Sequence, residues 1–181
     1  MTRIAPCDPP FDAAVAEELG RLMPPGVPPL LLFRTLGRNP RVLRRVRQGG
    51  LLDPGSITVR ERELVILRTC ALCGSEYEWG VHAAFFADAA GLGAAQLAAT
   101  VSGDRTALPV AEHALFALCE ALHERAAVPD GVWGALAARY RPDQLIELVM
   151  LAGQYHMVSF LTNALEIALE PGAPRFPAEG S

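Results

Sequence analysis

The stretch CALCGSEYEWGVH, Cys70 to His82, holds two thiols, two acids, two aromatics and a histidine in thirteen positions. Cys70-x-x-Cys73 is a spacing for thiol–disulfide exchange, whereas Glu78-x-x-x-His82 is a spacing for acid–base chemistry. Ser75, Glu78 and His82 stand at offsets 0, 3 and 7, and at ~100° per residue they fall within about one 60° sector of a helix. One face then presents a hydroxyl, a carboxylate and an imidazole. Four residues apart, Glu78 and His82 are close enough to shift one another's proton affinity, the requirement for proton transfer near neutral pH. The same letters have a second reading. Ser75-x-x-Glu78 is also a capping box closing the first turn of its helix, with His82 as a packed core histidine.

The thiols are less well placed for chemistry. A redox Cys-x-x-Cys sets its attacking thiol at a helix N-terminus, where the dipole lowers the thiol pKa. Cys73 stands before Gly74, near a helix C-terminus, where the dipole opposes thiolate formation. Two cysteines used as small apolar fillers fit better. Four Cys and four His are scattered along the chain without zinc-type spacing, and Cys70, Cys73 and His82 are poorly spaced for a metal. No metal and no cofactor is expected. All sixteen basic residues are arginines, which removes Schiff-base lysine chemistry.

Helices must position these groups. Alanine and leucine dominate and β-branched alternation is scarce, which predicts an all-α fold of about eight helices in a single domain. FDAAVAEELGRLM reads as the first helix, stopped by PPGVPP. A second covers about 30–48, interrupted at Asn39-Pro40, because the residue before proline disfavours helix. ITVRERELVILRTCALC is a long helix with Gly74 as its C-terminal cap. The next begins at Ser75 and stops at Gly91. Shorter helices start near Ala94, Val110 and Asp130. The last runs from about Asp143, its N-cap candidate, to Leu169.

In the long helix, Leu64, Val65, Ile66 and Leu67 are apolar on every side, so it is expected to be buried. Glu63 opens that run. Such a carboxylate needs a partner, or it is a first-turn acid or an ion pair with Arg60 or Arg62. Tyr155 and His156 in the last helix are polar groups in an apolar setting, either satisfied buried hydrogen bonds or pocket lining. Tyr77 is a candidate proton donor or pocket wall. Trp79 is expected in the core, and His113 and His123 to be structural or exposed.

With 181 residues, 51% hydrophobic and 20% charged, the chain can bury a proper core. A formal charge of −4 gives no general reason to bind nucleic acid. The arginine-rich RTLGRNPRVLRRVRQGG reads as a solvated face or subunit contact, with an anion site as the alternative. LIELVMLAGQYHMVSFLTNALEIAL carries Glu147, Gln154, His156, Asn163 and Glu166, which suits a buried helix better than a bilayer span. MTRIAPCDPPFD has no continuous apolar run, so a reduced, cytoplasmic setting is expected.

RERELVILR, CGSEYEWGVHAAFFADAAGL and LIELVMLAGQYHMVSFLTNAL together resemble the carboxymuconolactone decarboxylase family, which includes the AhpD-type alkylhydroperoxidases. The resemblance covers about 28–169. It implies an AhpD-like all-α fold and a homo-oligomer, commonly a dimer, trimer or hexamer. The peroxidase branch uses a glutamate, then a Cys-x-x-Cys whose second cysteine lies four residues before a histidine. Matched from His82, those positions are Glu63, Ser75 and Glu78. Glutamate and histidine are kept and both cysteines replaced. Cys70 and Cys73 lie five residues out of register, ~500° of rotation on a continuous helix. The decarboxylase branch has a glutamate four residues before its histidine and no cysteine pair, which Glu78 and His82 match.

By that resemblance, the expected function is cofactor-independent acid–base catalysis, as decarboxylase, isomerase or other lyase, on a small carbonyl or lactone. His82, Glu78 and Glu63 are the expected catalytic residues; Ser75, Tyr77, Tyr155 and His156 are the substrate-binding candidates. Two alternatives stay open: a thiol-dependent peroxidase or disulfide reductase using Cys70 and Cys73, and a non-catalytic oligomeric binding protein. The expected partners are a small molecule and further copies of the chain, with no nucleic acid and no membrane.

Overall fold

The asparagine before Pro40 splits the arginine-rich segment in two, and similar local stops punctuate the rest of the chain. The computed structural model describes residues 2–177. Among these residues the order is α1 (Ala13–Leu22), α2 (Leu31–Leu36), α3 (Pro40–Gln48), α4 (Val59–Leu72), α5 (Glu76–Ala90), α6 (Ala94–Ser102), a 3₁₀ turn (Val110–Glu112), α7 (His113–Arg125), α8 (Asp130–Ala137) and α9 (Pro142–Ala164). Among the described residues the fold is all-α, as expected, with nine α-helices rather than about eight. The difference lies at Asn39, whose side chain accepts from Val42 N at 3.3 Å and starts α3 as a separate helix.

Helix α4 is the axis of the molecule. Every residue from Glu61 to Cys70 is buried, because α5, α6, α7 and α9 all pack against it. Its start is a capping box at Thr58 and Glu61. Arg68, one of two buried arginines on α4, reaches out to two neighbouring helices. It donates to the last carbonyls of α6, Thr100 O and Val101 O, at 3.1 Å each, and to Glu120 at 2.8 Å.

The turn from α4 into α5 needs Gly74, whose φ of +64° is left-handed. Helices α4–α9 share one apolar cluster, while α1–α3 build a second with Tyr77, Val81, Val158 and Ile167. The arginine-rich segment is tied within the chain itself. Arg44 and Arg47 clasp buried Glu18 at 2.8 and 2.6 Å, and Arg38 holds the N-terminal carbonyls of Ala5 and Pro6.

Helix α9 differs from expectation at both ends. Arg141, not Asp143, is its N-cap, because Pro142 takes the first helical position, where a missing N–H costs nothing. It stops at Ala164 rather than Leu169, as Glu166 turns left-handed (φ 48°) and Ile167 N bonds Thr162 O. By length and composition α9 could cross a membrane, but it packs on α4, α5, α7 and α8 as a core helix. The chain then returns across α5. Phe176 meets Trp79 edge-on with ring centroids 5.5 Å apart, and Gly80 allows this, since a Cβ there would overlap the Pro174 carbonyl.

Candidate active site

Glu63 on α4 and His82 on α5 face each other because these two helices form a tight antiparallel pair. Glu63 is fully buried, and one of its oxygens accepts from His82 Nδ1 at 2.7 Å. The other accepts from Arg62 Nε at 2.8 Å. So the carboxylate is not a solvated first-turn acid, a role that belongs to Glu61, while the expected ion pair with Arg62 is present and shares the carboxylate with His82. Arg62 is itself anchored to Leu52 O at 2.8 Å and lies over the Phe86 ring.

With Nδ1 committed to Glu63, the working nitrogen of His82 is Nε2. It lies 2.9 Å from the Tyr155 hydroxyl and 3.5 Å from Glu78 Oε1. Burial works against the imidazolium, but the carboxylates Glu63 and Glu78 outweigh it and raise the His82 pKa to about 9. Burial, followed by the Glu78 charge, pushes the Tyr155 phenol well above its ordinary value, so it stays a neutral donor. Arg62, Glu63, His82 and Tyr155 form a continuous hydrogen-bonding chain, and with Glu78 beside His82 two cationic side chains meet two carboxylates inside the fold.

A cavity of about 530 Å³ opens over this chain, and Glu78 and Tyr155 lie in its wall. His82, 2% exposed, and Glu63 do not. The imidazole therefore stands one layer behind the surface that a small molecule would touch. Apolar Leu32, Phe33 and Val158 make up part of the remaining wall, with Arg21, Arg47 and Asp53 supplying charge.

Three substrate-binding candidates lie elsewhere. Ser75 is fully buried, with its hydroxyl 2.8 Å from Thr162 Oγ1, and makes no cap bond. The capping-box reading of Ser75 and Glu78 therefore fails, because Ser75 is engaged by Thr162 on α9 and Glu78 turns to His82 one turn further along α5. Tyr77 packs in the second apolar cluster; its hydroxyl accepts from Leu32 N at 2.9 Å and donates to Glu170 at 2.5 Å. His156, although next to Tyr155, points the other way, bonding Ala152 O at 2.8 Å and lying 3.1 Å from His123. Only Tyr155 of these four lines the cavity.

All four cysteines are free. Cys70 is fully buried and burial raises its pKa well above the usual thiol value, as a filler in the core would show. Cys73 is half-buried, raised by burial, and within 3.8 Å of His123 Nδ1. That contact had no signal in linear spacing, since fifty residues separate the two. Trp79 sits in the core, donating to Thr100 Oγ1 at 2.9 Å, and His113 bonds loop carbonyls of Arg105 and Leu108.

Comparison with known proteins agrees with this architecture. Residues 39–120 match the model of the Carboxymuconolactone decarboxylase family. No curated protein matches the sequence. Among solved structures, an uncharacterized peroxidase-related protein from Silicibacter sp. TM1040 superimposes with a TM-score of 0.82 at 11% identity, over 97% of this chain and 96% of that one. A second, from Ralstonia eutropha JMP134 and described as an alkylhydroperoxidase AhpD core, gives 0.72 at 11% identity over 94% and 93%. A variant of the debrominase Bmp8, solved in complex with 2,3,4-tribromopyrrole, gives 0.70 at 16% identity over 94% and 93%. At these identities the structural likeness establishes the AhpD-like fold. The family match fits an enzyme acting on a small molecule.

Proposed function

We propose that the chain is a cofactor-independent acid–base enzyme acting on a small carbonyl or lactone, a reading supported by the match of residues 39–120, which supply Glu63, Glu78 and His82, to the carboxymuconolactone decarboxylase family model. One observation carries this reading: His82 Nε2 is shared by Tyr155 and Glu78, two protic groups of the cavity wall, while Glu63 holds Nδ1.

The division of labour follows from position. The Glu78 carboxylate is the base for a proton on the carbon next to a carbonyl. The Tyr155 hydroxyl donates a hydrogen bond to the oxygen that becomes enolate-like. Behind them the His82 imidazolium is the proton reservoir, and Glu63 fixes its tautomer and stabilises its charge. In an isomerisation, the proton that Glu78 removes returns to a different carbon. In a decarboxylation, the electron pair of the breaking C–C bond flows into the carbonyl, carbon dioxide leaves, and one proton passes from His82 through the wall groups to carbon. That proton is then replaced from solvent. Cys70 and Cys73 have no part in this scheme.

The same proposal takes the chain as a cytoplasmic homo-oligomer. Exposed Ile146, Met150 and Phe160 along α9 supply an apolar face for such an assembly to cover.

The test uses a panel of small lactones and keto acids in D₂O, with deuterium incorporation read by mass spectrometry. Wild type should label the carbon beside the carbonyl. His82→Ala and Glu78→Gln should lose labelling by roughly 10²–10⁴-fold, while Cys70→Ser and Cys73→Ser retain it. Full activity in His82→Ala and Glu78→Gln would refute the proposal. So would hydroperoxide consumption that depends on Cys70 and Cys73.

A further inference from the structure

On the other side of α9 from the cavity, three potential metal donors converge that are far apart in sequence. Cys73 is the C-cap of α4, His123 lies in the last turn of α7, and His156 is in the middle of α9. One donor atom from each lies within 4.8 Å of the others. We propose that Cys73 Sγ, His123 Nδ1 and His156 Nε2 form a zinc site, with a fourth position open to solvent.

The donor spacing is the first support. Tetrahedral zinc with bonds of about 2.05 Å to nitrogen and 2.3 Å to sulfur separates two nitrogens by about 3.3 Å, and nitrogen from sulfur by about 3.6 Å. The observed separations are 3.1 Å between His123 Nδ1 and His156 Nε2, and 3.8 Å between Cys73 Sγ and His123 Nδ1. The third pair, Cys73 Sγ and His156 Nε2, lies within 4.8 Å, so an ion enters by drawing the thiol toward His156 by up to about an ångström, within reach of side-chain rotation.

Tautomer control is the second. His156 Nδ1 lies 2.8 Å from the Ala152 carbonyl, which can only accept, so the ring proton sits on Nδ1. The Nε2 lone pair is thereby left bare and aimed at the cluster, the orientation that a carbonyl on the far ring nitrogen imposes on metal-binding histidines. Without an ion, His123 Nδ1–H donates to that lone pair. With one, the His123 proton moves to Nε2, on the exposed side of an exposed residue, and the Cys73 thiol gives up its proton to solvent.

The frame is rigid enough to hold the set. Helices α4, α7 and α9 pack on one another pairwise. Asn163 Nδ2 donates to Cys73 O at 2.8 Å, fixing the cysteine's backbone. The two imidazoles lie with centroids 5.3 Å apart and planes inclined by 31°. One thiolate with two imidazoles is a donor set that prefers zinc over magnesium or calcium. The half-buried thiol leaves room for a water or a small ligand at the fourth position.

The experiment titrates zinc into full-length protein first stripped with a chelator, scoring stoichiometry by elemental analysis and affinity by competition with a chromophoric chelator. Cobalt(II) serves as the spectroscopic stand-in. One zinc per chain is expected, with a raised Tm and, for cobalt, a thiolate charge-transfer band together with tetrahedral ligand-field bands. His123→Ala and His156→Ala should each weaken zinc by more than the roughly 10–100-fold that loss of a group merely orienting a ligand costs. Cys73→Ser should abolish the thiolate band, and Cys7→Ser should leave it unchanged. Circular dichroism verifies the fold of each variant, and the double variant His123→Gln/His156→Gln replaces any that fails to fold. Substoichiometric zinc in wild type, or zinc affinity unaltered in correctly folded histidine variants, overturns the site. So does a cobalt spectrum without a thiolate band.

Discussion

Glu63 and His82 are joined by a 2.7 Å hydrogen bond across the α4–α5 pair, both of them buried. This contact makes a charged imidazole tolerable inside the protein, and it leaves the opposite nitrogen directed at Tyr155 and Glu78. The proposed chemistry depends on it.

Replacing Glu63 separates its electrostatic from its structural role. Glu63→Gln keeps the shape but removes the charge, and its amide can accept from only one of Arg62 and His82 while its NH2 faces the other. The His82 pKa should fall from about 9 toward or below its ordinary value, as burial gains the upper hand; imidazole NMR titration reads this directly. Glu63→Ala leaves Arg62 buried without its carboxylate and should cost about 3–5 kcal/mol in chemical denaturation.

Stability should depend on pH with a definite sign. His82 is raised from 6.5 to about 9 on folding, so the folded state holds its proton more tightly than the unfolded chain. That contribution is complete below about pH 6.5 and is lost as pH rises to about 9. Denaturation midpoints across this window should decline for wild type and flatten in Glu63→Gln. An equal decline in both would show that His82 is not the group responsible.

Tyr155→Phe removes the hydroxyl at 2.9 Å from His82 Nε2 and leaves the ring in place. Turnover should drop about 10²-fold or more, while stability changes by only ~1 kcal/mol. Ser75→Ala is the complementary control. Its hydroxyl meets Thr162, not the cavity, so kcat and KM should be unaltered at a similar small cost in stability.

Gly80→Ala should dislodge the C-terminal segment, because the new Cβ would overlap the Pro174 carbonyl. Overpacking of this kind costs about 1–3 kcal/mol. Limited proteolysis should show faster cleavage near Phe176 than in wild type, and Phe176→Ala should reproduce it by removing the contact with Trp79.

Much of this protein was legible in the letters because it is local. The break at Asn39-Pro40, the stops at Gly74 and Gly91, and the buried run Leu64–Leu67 follow from backbone preference and periodicity. So does the shared face of Glu78 and His82, which one helical turn guarantees. What the sequence could not settle is which way polar side chains turn once helices pack. Glu63 meets His82 nineteen residues away and Tyr155 meets it from seventy-three, distances at which no spacing rule operates. Ser75 and Tyr77 share α5's start with Glu78 yet are claimed by Thr162 and by Glu170. Neighbours Tyr155 and His156 diverge to opposite sides of one helix, one toward the cavity and the other toward Cys73 and His123. Periodicity determines which residues share a face. The rotation of each helix against its partners, set by packing summed over the whole core, decides what that face meets.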